Sequence, residues 1–240
     1  MKAMIFAAGK GTRLKPLTDN KPKALVEIHG KPLIEHVINK LKYYGFHEII
    51  INIHYLGDQI VDYLNTKNNF DIRIEISDES KELLDTGGGL KKASWFFDDK
   101  KPFVVYNTDI ISDLNLNEML DGHIRQKALA SLAVRKRLSS RYLLFNENFE
   151  LTGWKNVKTS EKIITQKSKY LTELAFSGVH ILNPDIFKYM NQLGKFSVVD
   201  SYLELTKEHR ITGFDHTSDY WFDIGTIHKL KTAEDYLNKY

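Results

Sequence analysis

Short apolar runs alternate with amphipathic stretches in the first third of the chain. Residues 4–8 form an apolar run that stops at glycines, which predicts a buried strand entering a glycine-rich turn. Apolar residues then recur at helical spacing over 33–44, and the β-branched run 48–53 indicates a strand covered on both faces. A second helical stretch over 58–64 and a strand over 71–77 follow. This alternation of strands and helices predicts a parallel sheet.

The second half of the chain has a different pattern. Several strand-like segments lie between residues 130 and 181 and are separated by polar turns, which predicts an extension of the sheet into a second lobe. We therefore expect an α/β fold, with a Rossmann-like mixed, mainly parallel central sheet flanked by helices and a small strand-rich lobe. We expect one domain over residues 1–240, divided into halves 1–129 and 130–240.

Composition and charge exclude several classes of protein. The 240 residues are 42% hydrophobic and 27% charged, as in ordinary globular proteins. A net charge of +3 with scattered basic residues gives no footprint for nucleic acid. The absence of cysteine excludes disulfides, thiol nucleophiles and thiolate zinc sites. No stretch approaches the ~20 apolar residues that span a bilayer, so we expect no membrane partner and a cytoplasmic location. The sequence does not indicate the oligomeric state.

The loop after the first predicted strand carries the first candidate chemistry. Ligands of such sheets bind at the carboxyl ends of the strands, and glycines let main-chain N–H groups approach a phosphate. A dinucleotide fingerprint would need a third glycine where this chain has Leu14, and a P-loop would need Ser or Thr where it has Gly11. Both common glycine-loop motifs are therefore excluded.

The pattern G-x-G-T-R-L-x-P-L-T, followed by Pro22 and Lys23, resembles the signature of the sugar-1-phosphate nucleotidyltransferases. Members of this family join a nucleoside triphosphate to a sugar 1-phosphate and release pyrophosphate, on a nucleotide-diphospho-sugar transferase fold. The glycine run 87–89 precedes an apparent helix. The resemblance implies that residues 1–129 bind the nucleotide and that this glycine run lets the base lie against backbone. The implied nucleotide-binding residues are Ala8, Gly9, Gly11, Thr12, Arg13, Lys23, Gly87 and Gly88.

Two aspartates that lie far apart in the sequence match acidic positions of the same family. PFVVYNTD delivers Asp109 at the end of a predicted strand, although relatives usually carry Gly or Ser where this chain has Thr108. YWFDIGT resembles the element Trp-x-Asp-x-Gly-Thr and contains Asp223. The resemblance implies that both aspartates hold Mg²⁺ and that Arg13, Lys23, Asp109 and Asp223 form the catalytic set. No general base is required, because a phosphate monoester with a second pKa of ~6 is already largely dianionic at neutral pH.

The predicted sugar-binding half, residues 130–240, contains weaker matches to the family. GWKN aligns with the Glu-Lys-Pro segment of relatives, which implies that Lys155 contacts the sugar phosphate and that Trp154 replaces a sugar-binding Glu. FSGVHIL resembles the strand that lines the sugar pocket, which implies contacts from Ser177 and Gly178. The nine histidines show no paired metal-ligand spacing.

Several motifs bear on the identity of the substrates. The short core, LLDTGGG and SGVHIL are most similar to uridylyltransferases of cell-wall recycling, which favours UTP and N-acetylmuramate 1-phosphate. Guanylyl transfer to mannose 1-phosphate, nucleotidyl transfer to glucose 1-phosphate or to phosphocholine, and a catalytically silent nucleotide-sugar sensor remain alternatives. An inactive copy would be expected to lose Arg13, Lys23 or an aspartate, and this chain keeps all of them.

Overall fold

The computed structural model describes residues 1–239. Fourteen strands and seven α-helices occur in these residues, joined by loops and short 3₁₀ turns. In chain order they are β1 (Lys2–Phe6), β2 (Glu27–Ile28), β3 (Lys31–Pro32), α1 (Leu33–Tyr43), β4 (Glu48–Ile53), α2 (Gly57–Thr66), β5 (Arg73–Asp78), α3 (Asp85–Lys92), β6 (Phe103–Asn107), β7 (Ile110–Ser112), α4 (Leu116–Gln126), β8 (Ala130–Arg135), β9 (Arg141–Phe145), β10 (Leu151–Asn156), β11 (Lys162–Ile164), β12 (Thr172–Leu182), α5 (Ile186–Tyr189), α6 (Val198–Leu205), β13 (Ile211–Asp215), β14 (Trp221–Asp223) and α7 (Ile227–Leu237).

The chain forms two compact units. Unit 1 contains Met1–Leu84, Val105–Asp113 and residues 220–239, and unit 2 contains Asp85–Val104 and Leu114–Asp219. Although α7 is the last helix of the chain, it belongs to the same unit as β1. The assignment of nucleotide binding to residues 1–129 and sugar binding to 130–240 stays a prediction.

Unit 1 is built on parallel strands. β1 pairs in parallel with β4, and β4 pairs in parallel with β5. The apolar run in β4 is buried on both faces, as its continuous β-branched sequence predicted. α1 buries the side of the helix that carries Leu33, Val37 and Leu41.

A second cluster in unit 1 fixes the C-terminal segment. Leu14 from the glycine-rich loop packs with Ile224, Leu230 and Ala233, all of them buried. Burying these apolar side chains together ties β14 and α7 to the loop after β1. The hydrophobic contact therefore brings residues 224–233 to the loop after β1.

Unit 2 is rich in antiparallel strands. Its sheet runs in the order β11, β10, β9, β12, β8, β13, with β13 parallel to β8 and the other pairs antiparallel. The expected α/β class, with a mixed sheet flanked by helices and a strand-rich part, is confirmed. Within residues 1–239, none of the helices combines the length and the apolar character that crossing a membrane requires.

One expected boundary is wrong. The glycine run 87–89 was expected to precede a helix, but these residues lie inside α3. The amide of Gly87 donates to the carbonyl oxygen of Phe196 at 2.9 Å, and a Cβ on Gly87 would overlap the Phe196 ring. Close packing against Phe196 explains the glycine at a cost of about 1 kcal/mol in helix propensity.

Candidate functional site

The two candidate aspartates lie on neighbouring backbone segments of unit 1. Asp109 directly precedes β7, and β14 pairs antiparallel with β7 so that Asp223 lies opposite Ile110. The amide of Ile224 donates to the carbonyl oxygen of Asp109 at 2.8 Å. A short sheet thus brings together two residues that are 114 positions apart, 223 minus 109.

Lys23 forms an ion pair with Asp109. Lys23 begins a 3₁₀ turn after Pro22, whose backbone is extended. The Lys23 Nζ atom donates to Asp109 Oδ2, and the two side chains are only 15% and 20% exposed. The Pro-Lys order of the motif therefore aims an ammonium group at the first aspartate.

The glycine-rich loop lies against the base of Lys23. Gly11 has φ +64, and a Cβ there would lie 3.0 Å from both Lys23 Cβ and Thr18 Cγ2. Thr18 Oγ1 donates to the carbonyl oxygen of Gly11 at 2.8 Å, which holds the turn closed. Gly9 differs, because no heavy atom lies within 4 Å of its would-be Cβ. Gly11 is needed for packing, whereas Gly9 leaves space beside the backbone.

Arg13 and Asp223 both lie close to Gly225. A Cβ on Gly225 would lie 2.8 Å from Asp223 Oδ1 and 3.2 Å from Arg13 Nη2. Arg13, like Thr12 beside it, is exposed, so its guanidinium is open to solvent. Glycine in the Asp-x-Gly-Thr element thus permits the carboxylate and the guanidinium to approach one another.

Lys229 is a charged neighbour that the sequence analysis missed. Its Nζ donates to Asp223 Oδ2 at 2.7 Å. Its backbone amide donates to Thr226 Oγ1 at 3.3 Å, so Thr226 caps α7. The sequence contained a signal for this contact. Asp223 ends a strand, Thr226 caps the next helix, and Lys229 lies in the first turn of that helix, close enough to reach back to the aspartate.

The donor set fits a hard divalent cation. Mg²⁺ binds carboxylate and phosphate oxygens, commonly with only one or two carboxylates from the protein. Asp109 and Asp223 supply such oxygens from adjoining segments, and each is now in contact with a lysine ammonium. Among residues 1–239, no cluster of three or more His, Cys, Asp or Glu side chains is arranged to hold a metal ion.

In unit 2, the structure separates two predicted sugar contacts. Lys155 lies opposite Tyr142 on β9, whereas Trp154 lies opposite Leu143, so their side chains point to opposite faces of the sheet. Lys155 Nζ forms an ion pair with Glu173 and lies 5.4 Å from the centre of the Tyr142 ring. A ligand on one face of this sheet can meet only one of the two predicted side chains. Glu173, like Lys229, is a charged neighbour that the sequence analysis did not identify.

Ser177 and Gly178 lie in an irregular part of β12. The pairing of β12 with β8 shifts register between Phe176 and His180, and Gly178 has φ +78. The Ser177 hydroxyl is fully buried and lies 2.7 Å from His216 Nε2. The Ser177 side chain therefore faces the interior of unit 2. Gly87 and Gly88 also belong to unit 2, where their amides face the Phe196 carbonyl.

These features are those of a nucleotidyltransferase, and the chain belongs to the nucleotidyl transferase family, which it matches over residues 2–239. It is 31% identical over 235 residues to the N-acetylmuramate alpha-1-phosphate uridylyltransferase of Neisseria meningitidis serogroup B, covering 98% of this chain and 97% of that one. It is 30% identical over 247 residues to the UTP–glucose-1-phosphate uridylyltransferase of Synechocystis, covering 95% of this chain but 61% of that longer protein.

A solved structure shows the same fold. The putative glucose-1-phosphate thymidylyltransferase from Bacillus anthracis, in complex with a sucrose, superposes with a TM-score of 0.81 at 20% identity, covering 100% of this chain and 96% of that one. The expected nucleotide-diphospho-sugar transferase fold and the resemblance to sugar-1-phosphate nucleotidyltransferases are thereby confirmed.

Proposed function

We propose that this protein transfers a nucleotidyl group from a nucleoside triphosphate to a sugar 1-phosphate and releases pyrophosphate. The observation that carries this proposal is the backbone pairing of β14, which ends at Asp223, with β7, which directly follows Asp109. Lys23 forms an ion pair with Asp109, and Arg13 lies, like Asp223, beside Gly225. Two carboxylates for a cation and two basic groups for phosphates are the components that such a reaction needs.

We propose UTP and N-acetylmuramate 1-phosphate as the substrates. The support is the similarity to the Neisseria meningitidis enzyme named for that reaction, which extends over 97% of that enzyme's length. The similarity to the glucose-1-phosphate enzyme covers 61% of that protein, which makes glucose 1-phosphate the second candidate.

The bonds that change define what the residues must do. A phosphate oxygen of the sugar 1-phosphate attacks the α-phosphorus, a new P–O bond forms, and the bond to the bridging β-oxygen breaks. The electron pair of that bond leaves with pyrophosphate. Since the attacking oxygen is already anionic, the protein has to position the two anions and offset their charge rather than move a proton.

The residues of unit 1 suit these tasks. Lys23 would offset charge on the α-phosphate, while the exposed Arg13 would give a planar two-point contact to the β- and γ-phosphates. Asp109 and Asp223 would hold Mg²⁺, which supplies charge neutralisation between the reacting phosphates. Lys155 in unit 2, with Glu173 beside it, would contact the sugar phosphate.

A pyrophosphate-release panel tests the proposal. UTP, GTP, CTP and dTTP are each combined with N-acetylmuramate, N-acetylglucosamine, glucose and mannose 1-phosphates in the presence of Mg²⁺. We expect the highest kcat/KM with UTP and N-acetylmuramate 1-phosphate, and loss of release with excess chelator. A Lys23→Ala variant purified in the same way controls for contaminating enzymes. Tight binding of a nucleotide sugar without release from any pair would instead identify a silent sensor.

A further inference from the structure

A buried polar cluster lies at the carboxyl ends of the parallel strands of unit 1. Asn52 is in the last part of β4, and Glu79 directly follows β5. Asn52 is 3% exposed and Glu79 is 1% exposed. Burial of an amide and a carboxyl group is costly unless their hydrogen bonds are satisfied. Their presence at the ligand-binding edge of the sheet therefore calls for an explanation.

The cluster forms a chain of hydrogen bonds between two loops. The amide of Ala7 donates to Asn52 Oδ1 at 2.8 Å, and Asn52 Nδ2 donates to Glu79 Oε1 at 2.7 Å. The amide of Leu84 donates to Glu79 Oε2 at 3.0 Å. Ala7 immediately precedes the glycine-rich loop, and Leu84 immediately precedes the helix that carries the glycine run. These hydrogen bonds thus fix the backbone at the start of both segments.

The direction of each hydrogen bond restricts the residue types. A backbone amide can only donate, so Asn52 must turn its oxygen to Ala7 and its nitrogen to Glu79. Glu79 must then accept on both oxygens, from Asn52 and from Leu84. A carboxylate can accept on both oxygens. The side-chain amide of Gln has only one acceptor oxygen, so its NH₂ group would face either the NH₂ group of Asn52 or the amide N–H of Leu84.

We propose that Glu79 is a positioning residue for nucleotide recognition. It acts through Asn52 and through the Leu84 amide, and holds the peptide groups after β1 and before α3 in the orientation that a nucleobase and its phosphates require. This inference rests on the proposed function, because it takes the loop after β1 to be the nucleotide-binding loop. Apolar side chains at these two positions could stabilise the fold about as well as the buried hydrogen bonds do. The presence of polar groups instead favours a role in ligand binding.

Exchanging the amide of Asn52 and the carboxylate of Glu79 tests whether these hydrogen bonds position the two loops. Glu79→Gln or Asn52→Asp alone breaks the donor–acceptor pattern, whereas the double variant Asn52→Asp with Glu79→Gln restores every donor and acceptor with the same net charge. We expect each single variant to weaken UTP binding, measured by calorimetry, by about tenfold or more, the scale of one buried hydrogen bond to a charged group. The double variant should return to within about threefold of the wild type.

Readouts beyond stability separate positioning from a structural role. At a temperature well below unfolding, we expect Glu79→Gln to raise KM for UTP and reduce the preference for UTP over GTP, with KM for the sugar 1-phosphate unchanged. Ser77→Ala is the matched control. Its hydroxyl is buried in register with Asn52 and, within residues 1–239, has no hydrogen-bond partner, so UTP affinity should not change.

Each result decides the matter. Unchanged UTP affinity and base preference in folded Glu79→Gln would overturn the proposal, as would a stable double variant that still binds UTP weakly. If Glu79→Gln alone does not fold, the double variant decides. Calorimetry measures UTP binding without turnover. Wild-type protein that binds UTP but releases no pyrophosphate would therefore refute the proposed function, and the effect of Glu79→Gln on UTP binding could still be measured. Wild-type protein that binds no nucleotide refutes both.

Discussion

Replacing Asp109 by Asn should abolish most turnover while destabilising the fold by less than it raises the activation barrier. The substitution keeps the shape of the side chain and an oxygen that can still accept from Lys23 Nζ. It removes the negative charge that pairs with the ammonium group and that would hold the cation. Stability and catalysis therefore respond to the same change by different amounts.

The magnitudes follow from the burial of the pair. The Lys23 and Asp109 side chains are 15% and 20% exposed, between a surface pair and a fully buried one. At an effective dielectric of about 20, a salt bridge of about 4 Å attracts by about 4 kcal/mol, most of which desolvation offsets. We expect the free energy of unfolding to fall by about 1 to 2 kcal/mol. Turnover should fall by about a hundredfold or more, which corresponds to about 2.7 kcal/mol in the activation barrier.

The assay compares kcat from pyrophosphate release with urea unfolding of the same preparations. Lys23→Met and the double variant complete a cycle, and we expect the two losses in turnover to be far from additive, because both groups act on one reaction centre. Turnover within about threefold of the wild type in folded Asp109→Asn, at saturating substrates and Mg²⁺, would refute the assignment of Asp109.

Three further predictions concern neighbouring groups. Gly225→Ala places a methyl group 2.8 Å from Asp223 Oδ1 and 3.2 Å from Arg13 Nη2, so kcat/KM should fall by about tenfold or more with little change in melting temperature; normal kinetics would contradict this. Lys229→Gln removes the ammonium that competes for Asp223, and a Mn²⁺ titration should show about fivefold tighter binding; weaker binding would contradict the competition. Burial lowers the pKa of His123 from 6.5 to about 4, so the unfolded chain binds more protons between these values. His123 should therefore lower the free energy of unfolding by up to about 1.4 kcal/mol per pH unit as pH falls through that window, and urea unfolding of His123→Asn should show a correspondingly smaller slope.

The parts of the fold set by local pattern were predictable from the sequence. The β-branched run of β4 and the helical spacing of α1 report burial directly, because the residues that create the pattern are the ones that become buried. The spacing of Gly11 and Lys23 was similarly informative, since Gly11 packs against Lys23 Cβ within the same segment of the chain.

Features that depend on distant partners were not predictable. Gly87 is required by Phe196, which lies 109 positions later, and no local pattern around Gly87 reports that neighbour. Trp154 and Lys155 are adjacent in sequence, so a motif match treats them as one contact, although strand geometry turns them to opposite faces.

The two lysine contacts indicate how charge is balanced in the candidate site. Asp109 pairs with Lys23 and Asp223 pairs with Lys229, so the carboxylates are neutralised by ammonium groups from different parts of the chain. When a divalent cation and two phosphates enter, the cation would take the carboxylates and the phosphates would take the released ammonium groups. Each carboxylate and each ammonium group would then have a partner of opposite charge both before and after the substrates bind. Removing one lysine should therefore affect metal affinity and phosphate affinity in opposite directions, which a purely structural ion pair would not do.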